Sequence, residues 1–181
     1  TLKQGLMLTE KYLHKDYNKL VQEVVVKLWK GKDAAPYYNL VDSIQYQKGV
    51  KPLFAHVKKK RYITAIISAS SFDVARRVQR DFGIDHLFAN ELVIKNNKVS
   101  GEFTWPIGAG KEKKATIVRD LCKDLSINLK ECIYVGDSET DLDALKIVGK
   151  SIAFNCNSTK VKEAVSVVVE SDDLRDLIKH I

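Results

Sequence analysis

The sequence has 181 residues, of which 45% are hydrophobic and 29% charged, and its formal net charge is +7. This composition is ordinary for a globular protein of one domain, and no apolar run is long enough to predict a transmembrane helix. Three cysteines, Cys122, Cys132 and Cys156, are widely spaced and have no histidine partners at metal-binding spacing. They predict reduced thiols in a cytoplasmic protein rather than disulfides or a zinc site.

The first third of the chain is predicted to be helical. Apolar residues recur every three to four positions over 9–29, which predicts one amphipathic helix. Gly31 and Pro36 interrupt the pattern. Two shorter helices are predicted after this break, over 37–46 and 50–60. Because strands do not alternate with these first helices, we expect 1–47 to form a small helical cap and 48–181 to form the core.

Strand and helix patterns alternate from residue 62 onward. The β-branched run 62–68, "YITAIIS", has the length of a buried strand. A helix follows it, with Ser70 and Asp73 as a capping box and Gly83 as the C-cap. Residues 88–105 predict two short strands around an Asn-Asn turn. The remaining elements are helices over 112–125, 139–148, 158–164 and 172–180, and strands over 132–136, 151–155 and 165–170. This alternation predicts a Rossmann-like α/β fold, a parallel sheet with helices on both faces.

Polar side chains follow two of the predicted strands. Ser68 comes after "ITAII" and Asp137 comes after "IYVG", and ligands of such sheets bind beyond the carboxyl ends of the strands. Asp137 and Asp141 are four residues apart, so they would share one face at the start of a helix. The helix dipole also stabilises acids there without any binding role. Glu139 and Asp143 fall off that face, and we expect them to be solvated.

The stretch "GDSETD" resembles the fourth sequence motif of the haloacid dehalogenase superfamily, whose phosphatases carry Gly-Asp and a second Asp four residues after the first. The resemblance implies that Asp137 binds Mg²⁺ and that Asp141 supports the metal site and a neighbouring lysine. It implies phosphate-binding groups at the first predicted strand end, namely the Ser68 hydroxyl and the amides of Ala69 and Ser70. Counting back from the next strand favours Lys114 as the lysine that neutralises the phosphate, with Lys113 and Lys111 as alternatives.

The resemblance extends over about 48–181 and is to the phosphoserine-phosphatase branch of the superfamily. The segments "FDVARRVQRDFGIDHLFANELVIKNNKVSGEF" and "SINLKECIYVGDSETD" are similar to that branch element by element. The implied activity is Mg²⁺-dependent hydrolysis of a small organic phosphomonoester. Phosphoryl transfer requires an in-line nucleophile and neutralised charge, and Mg²⁺ binds carboxylates together with phosphate oxygens, so the residue types agree with this chemistry.

The nucleophile of the family is not found in the sequence. Its pattern is Asp-x-Asp-x-Thr, in which the first Asp is phosphorylated and the second acts as acid and base. The only D-x-D here runs from Asp141 to Asp143. In this fold the first strand lies between the strands that end at Ser68 and Asp137. We therefore expect this strand and its nucleophile to lie upstream of Thr1, and the 181-residue chain to be inactive by itself. The alternatives are a non-catalytic phosphate-binding relative and a nucleic-acid end phosphatase.

The residues that would recognise phosphoserine differ from the family pattern. Gly5, Leu6 and Met7 stand where that branch carries a glutamate, and there is no arginine before Arg61. The identity of the phosphomonoester therefore stays open, as does the oligomeric state. The basic run 58–61, "KKKR", is expected to be a solvated helix C-terminus. Nucleic acid is an unlikely partner because no aromatic residues interleave with these cations.

Overall fold

The computed structural model describes residues 2–12, 15–108 and 112–181. Its N-terminal part is helical, as predicted. The elements in chain order are α1 (Leu2–Tyr12), α2 (Tyr17–Val21), a π-helical segment (Gln22–Trp29), α3 (Ala35–Ser43) and α4 (Val50–Lys59). None of the helices in the described ranges is long and apolar enough to cross a membrane.

The prediction of one continuous helix over 9–29 is wrong. Helix α1 ends at Tyr12, and α2 begins anew after Asp16, whose carboxylate accepts a hydrogen bond from the Lys19 amide at 2.9 Å. An aspartate in this position favours a helix start because it satisfies an amide that has no partner within the helix. Leu13, which belonged to the predicted apolar face, lies outside the described residues.

The N-terminal helices pack onto a β-hairpin of the core. Val21 and Val25 form a buried cluster with Val99, which lies on the hairpin. Backbone hydrogen bonds extend this contact, because the Gly31 amide donates to the Val99 carbonyl at 2.8 Å and the Val99 amide donates to the Lys32 carbonyl at 2.9 Å. The helical segment is thus attached to the core by both apolar burial and main-chain pairing.

The first sheet has three strands and one covering helix. Its elements are β1 (Ala65–Ser71), α5 (Phe72–Phe82), β2 (His86–Lys95) and β3 (Lys98–Thr104). Strands β1 and β2 are parallel, and β2 and β3 are antiparallel. Asn96 and Asn97 connect β2 to β3 with φ angles of 50° and 57°, a conformation that asparagine tolerates in tight hairpins. The predicted hairpin around the Asn-Asn turn is confirmed.

The second sheet is a parallel three-stranded ladder in the order β4-β5-β6. Its elements are α6 (Glu112–Asp124), a 3₁₀ turn (Leu129–Glu131), β4 (Ile133–Gly136), a 3₁₀ turn (Glu139–Asp141), α7 (Leu142–Leu145), β5 (Lys150–Phe154), α8 (Thr159–Glu163), β6 (Val167–Val169) and a 3₁₀ segment (Leu174–His180). The α/β prediction is confirmed, although β3 adds one antiparallel strand. The helices predicted over 139–148 and 172–180 are wholly or partly 3₁₀.

Two predictions about the ends of α5 have different outcomes. Gly83 is a left-handed C-cap with φ 66°, as predicted. The capping box of Ser70 and Asp73 is wrong, because Ser71 is the N-cap residue and its side chain makes no capping hydrogen bond. The Asp73 carboxylate instead accepts a hydrogen bond from the Tyr37 hydroxyl at 2.7 Å.

The two sheets are held side by side by one apolar cluster. Buried residues of α6 and the α7 region, including Ala115 and Val148, pack with Ile67 of β1 and Tyr134 of β4. In the described residues β1 and β4 are not hydrogen-bonded to one another, and each lies at the end of its own sheet. Strands β1 and β4 thus contact one cluster without sharing a ladder; Ser68, predicted at the end of its strand, lies inside β1, and Asp137 comes directly after β4.

The basic run 58–61 lies at the C-terminus of α4, as predicted. The Lys60 amide closes the helix by donating to the His56 carbonyl at 3.0 Å, and the lysine side chains of the run are exposed. Cations at this position interact favourably with the negative end of the helix dipole.

Candidate active site

The loop after β4 folds back on itself through Asp141. Ser138 is the N-cap of the 3₁₀ turn, and its amide and hydroxyl donate to Asp141 Oδ2 at 3.3 Å and 3.1 Å. The Asp137 amide donates to the same oxygen at 3.4 Å. This reciprocal capping directs the Asp141 carboxylate toward the strand end rather than along the outer face of a helix.

The other oxygen of Asp141 has two side-chain partners. Lys114 Nζ donates to Oδ1 at 2.7 Å, and the Tyr134 hydroxyl donates to it at 2.9 Å. Lys114 and Asp141 are both buried. Burial, followed by the charge of Asp141, raises the pKa of Tyr134, so this hydroxyl stays protonated as a donor. The pair is thus a buried salt bridge whose carboxylate has further hydrogen-bond donors on both oxygens.

Gly136 allows Asp141 to approach the strand end this closely. A Cβ atom at Gly136 would lie 2.6 Å from Cβ of Asp141 and 2.8 Å from its Cγ. Both distances are too short for atoms that are not bonded, so a larger residue would displace Asp141. The glycine in "GDSETD" is required by this contact and not by an unusual backbone angle.

Asp137 is an exposed carboxylate of the same loop. Desolvation by the surrounding atoms is the main cause that raises its pKa, and the charge of Asp141 adds to it, while Lys114 lowers it. A nearby cation would therefore stabilise the ionised form of Asp137.

The other two acids of the loop have different surroundings. Glu139 is exposed, as expected, and its carboxylate accepts a hydrogen bond from the hydroxyl of Ser158, the N-cap residue of α8, at 3.0 Å. Asp143 was expected to be solvated as well, but it is partly buried in α7. Glu139 therefore contacts the start of α8 and is not a partner of Lys114.

The predicted phosphate-binding residues form a bulge at the end of β1. Ser68 pairs with Ala89 and Ser71 pairs with Asn90, so Ala69 and Ser70 have no partner in the ladder. The Ser70 amide donates to Ser68 Oγ at 3.1 Å. Bulges often occur next to binding sites because they turn backbone groups out of the sheet, and this one turns the amides of Ala69 and Ser70 out of the ladder, that of Ser70 toward Ser68 Oγ.

The three candidate lysines differ in their surroundings. Lys114 is buried against Asp141, and Lys113 is exposed on α6. Lys111 lies outside the described residues. The structure therefore brings Lys114, Asp141 and Asp137 together, and the cluster of Ile67 and Tyr134 positions the bulge of β1 near them.

Sequence reasoning missed three polar residues that contact this region. Tyr134 donates to Asp141, the Tyr37 hydroxyl lies 2.5 Å from Ser71 Oγ, and Asn90 donates to the Ala69 carbonyl at 3.0 Å. Asn90 offered one signal, because asparagine is unfavourable within a strand. The two tyrosines offered none, since tyrosine is common in ordinary packing.

The described residues contain no cluster of three or more His, Cys, Asp or Glu side chains that could hold a metal ion. Asp137 and Asp141 are the two carboxylates of the site, and the oxygens of Asp141 are already hydrogen-bonded. Asp137 is therefore the carboxylate of this pair that is available to a cation.

The chain is similar in sequence to phosphoserine phosphatases. It is 30% identical over 135 residues to the phosphoserine phosphatase of Methanocaldococcus jannaschii, a match that covers 74% of this chain and 63% of that protein. It is 26% identical over 166 residues to the phosphoserine phosphatase of Lactococcus lactis, covering 92% of this chain and 76% of that protein. The chain thus spans less than two thirds of the length of the first of these relatives.

The fold is also that of a solved structure. A phospho-aspartyl intermediate analogue of phosphoserine phosphatase matches with a TM-score of 0.83 and 23% identity, over 99% of this chain and 85% of that one. At this identity the likeness establishes the fold. The family model of haloacid dehalogenase-like hydrolases matches residues 4–146. The chain belongs to the haloacid dehalogenase-like hydrolase family.

Proposed function

We propose that this protein is a Mg²⁺-dependent phosphatase that removes phosphate from a small organic phosphomonoester similar to phosphoserine. The observation that carries the proposal is the arrangement of Lys114, Asp141 and Asp137 at one strand end. Both relatives compared with the chain are named phosphoserine phosphatase. Phosphoryl transfer requires mainly positioned positive charge and an in-line nucleophile, and this arrangement supplies the charge.

The proposed phosphate site combines groups from both sheets. The Ser68 hydroxyl and the amides of Ala69 and Ser70 would donate hydrogen bonds to phosphate oxygens. Lys114 would neutralise their charge while Asp141 holds its ammonium group in place, at 2.7 Å. Lysine acts on phosphate as a point charge, so its position matters more than the direction of its hydrogens.

The residues present fit a magnesium ion. Mg²⁺ binds one or two carboxylates together with phosphate oxygens and water, and Asp137 is an exposed carboxylate whose pKa is raised first by desolvation and then by the charge of Asp141. A bound cation would offset both effects. We assign Asp137 as the metal ligand and Asp141 as its support. When bound, the ion would supply charge neutralisation of the phosphate.

We place the nucleophilic aspartate on a further strand between β1 and β4. Each of these strands has one edge without a strand partner in the part of the chain that the structure describes. In the structure β1 has no buried residue and β4 only Gly136, so a further strand would both cover these edges and pair their backbone groups.

Attack by that aspartate on phosphorus would form an aspartyl-phosphate and break the ester bond, and the second aspartate of the pattern would protonate the leaving alcohol. Water, activated by the same second aspartate, would then hydrolyse the aspartyl-phosphate to phosphate. A solved structure of the similar phosphatase is of a phospho-aspartyl intermediate analogue. We expect residues 1–181 alone to bind phosphate without turnover.

The substrate would be enclosed by 1–47, which we propose to act as a cap over the core of 48–181. This segment contacts the site end of β1 through Tyr37. The segment itself contributes no arginine for a substrate carboxylate, and Arg77 of α5, which lies against it, donates to its backbone carbonyls. A phosphomonoester other than phosphoserine is therefore an alternative substrate. The three cysteines are free, which supports a reducing, cytoplasmic setting.

The test is hydrolysis by the intact protein of phosphoserine and of other small phosphomonoesters, with and without Mg²⁺. Asp137→Asn should abolish metal-dependent turnover. The matched control is Glu139→Gln, which also removes one charge from this loop but alters a side chain hydrogen-bonded to Ser158. Turnover retained in Asp137→Asn, or lost equally in both variants, would contradict the assignment.

A further inference from the structure

Asn90 connects two segments of the proposed phosphate site. It is 4% exposed and lies on β2 beside the bulge of β1. Its Nδ2 donates to the Ala69 carbonyl at 3.0 Å and to the Gly108 carbonyl at 2.9 Å. Its Oδ1 accepts from the amides of Ile107 and Gly108, both at 3.2 Å. Both donors and both acceptor positions of the amide are thus occupied.

The bond to Ala69 fixes the direction of a backbone amide at the site. The described chain has no cis peptide bonds, and in a trans peptide the carbonyl and the following N–H point in opposite directions. Because Asn90 holds the Ala69 carbonyl, the Ser70 amide is directed away from β2 and toward Ser68 Oγ, at 3.1 Å. Asn90 therefore holds a proposed phosphate donor from the carbonyl side of its peptide, while Ser68 Oγ accepts from the amide on the other side.

The bonds to Ile107 and Gly108 tie the bulge of β1 to the end of the segment that follows β3. Ile107 is fully buried, so this segment end is itself held in the core. The same side chain thus sets the position of the β1 bulge relative to residues 107 and 108.

We infer that Asn90 is a positioning residue for phosphate binding, acting through the Ser70 amide and through the anchoring of the β1 bulge to Ile107 and Gly108. This inference rests on the proposed function. It assigns no contact between Asn90 and the substrate. The asparagine acts by holding two backbone segments at a fixed separation, so its loss should weaken phosphate binding more than it weakens the fold.

The experiment compares Asn90→Leu, Asn90→Ser and Ser151→Ala in the intact protein. Leucine has a similar size without hydrogen-bonding groups, and serine leaves room for water to satisfy the backbone groups if leucine prevents folding. Ser151 is the matched control, because it is 7% exposed and hydrogen-bonded to Ser166 at the start of β5. The readouts are the melting temperature and the affinity for inorganic phosphate, with the Ser70 amide resonance followed during the phosphate titration.

Loss of these hydrogen bonds is expected to weaken phosphate binding by about tenfold and to abolish the shift of the Ser70 resonance. Ser151→Ala should lower the melting temperature but keep wild-type phosphate affinity. Wild-type affinity in the Asn90 variants, or an equal loss in Ser151→Ala, would overturn the inference. Absence of phosphate binding in the wild-type protein would overturn the proposed function itself, so the two failures are distinguishable.

Discussion

Lys114 Nζ lies 2.7 Å from Asp141 Oδ1, and both side chains are buried. The two residues belong to different elements, the first turn of α6 and the loop after β4. Tyr134 and Ser138 donate further hydrogen bonds to the carboxylate. A buried ion pair requires such additional hydrogen bonds, because each charge is costly to remove from water.

Lys114→Met is expected to lower the free energy of unfolding by about 3–5 kcal/mol, because it leaves Asp141 as an uncompensated buried charge. It should also abolish phosphate binding. Lys113→Met, one residue earlier and exposed, should change stability by less than about 0.5 kcal/mol. Urea denaturation and phosphate titration check both results, and a stable, phosphate-binding Lys114→Met protein would contradict the role of the pair.

Gly136→Ala is expected to displace Asp141, because the added Cβ would lie 2.6 Å from Cβ of that residue. Overpacking of this kind costs about 1–3 kcal/mol, and the proposed activity should fall with it. Gly5→Ala is the control, since its added Cβ would meet nothing within 4 Å and alanine favours a helix. Equal melting temperatures for the two variants would contradict a role for the close approach of Asp141 to Gly136.

Tyr37→Phe is expected to weaken the contact between α3 and the end of β1. The Tyr37 hydroxyl lies 2.5 Å from Ser71 Oγ and donates to Asp73 at 2.7 Å. Loss of this hydroxyl should lower the free energy of unfolding by about 1–2 kcal/mol. Because the contact would position the proposed cap, its loss should also raise KM more than it lowers kcat. Tyr38→Phe is the neighbouring control, and steady-state kinetics of both variants provide the measurement.

Stability should fall in acid partly through Asp173. Hydrogen bonds from Arg175, first from its side chain and then from its amide, hold the pKa of Asp173 well below its usual range. A lowered folded-state pKa gives stability that is present above the unfolded pKa, about 3.9, and is lost as the pH falls toward the folded value. Denaturation experiments between pH 7 and pH 2 should therefore show that the difference in free energy of unfolding between wild type and Asp173→Asn becomes smaller as the pH falls. Asp172→Asn, at an exposed neighbour, should show no such change.

Cys132 should react slowly with alkylating reagents in the native protein. Burial and the neighbouring Cys122, whose sulfur lies 3.3 Å away, raise the pKa of Cys132 to about 12. Because the thiolate is the reactive form, labelling at pH 8 should be much slower than in urea-unfolded protein. Mass spectrometry of alkylated peptides checks this, and native labelling as fast as in urea would contradict it.

The sequence alone determined the α/β fold and the position of Asp137 directly after a strand, whereas Ser68, predicted at the end of its strand, lies inside β1, which continues to Ser71. Periodicity and turn residues are local properties, so the hairpin at Asn96 and Asn97 and the C-cap at Gly83 were predictable. The spacing of Gly136, Asp137 and Asp141 was likewise visible in one short segment.

Only the tertiary structure decided which side chains meet. Lys114 is buried against Asp141 while Lys113 is exposed, a difference set by how α6 packs against β4. The contacts of Asn90 and Tyr37 join segments 17 to 36 residues apart in the chain, and no local pattern encodes such distances. Periodicity reports the environment of one element, whereas a site depends on the convergence of several, which packing alone determines.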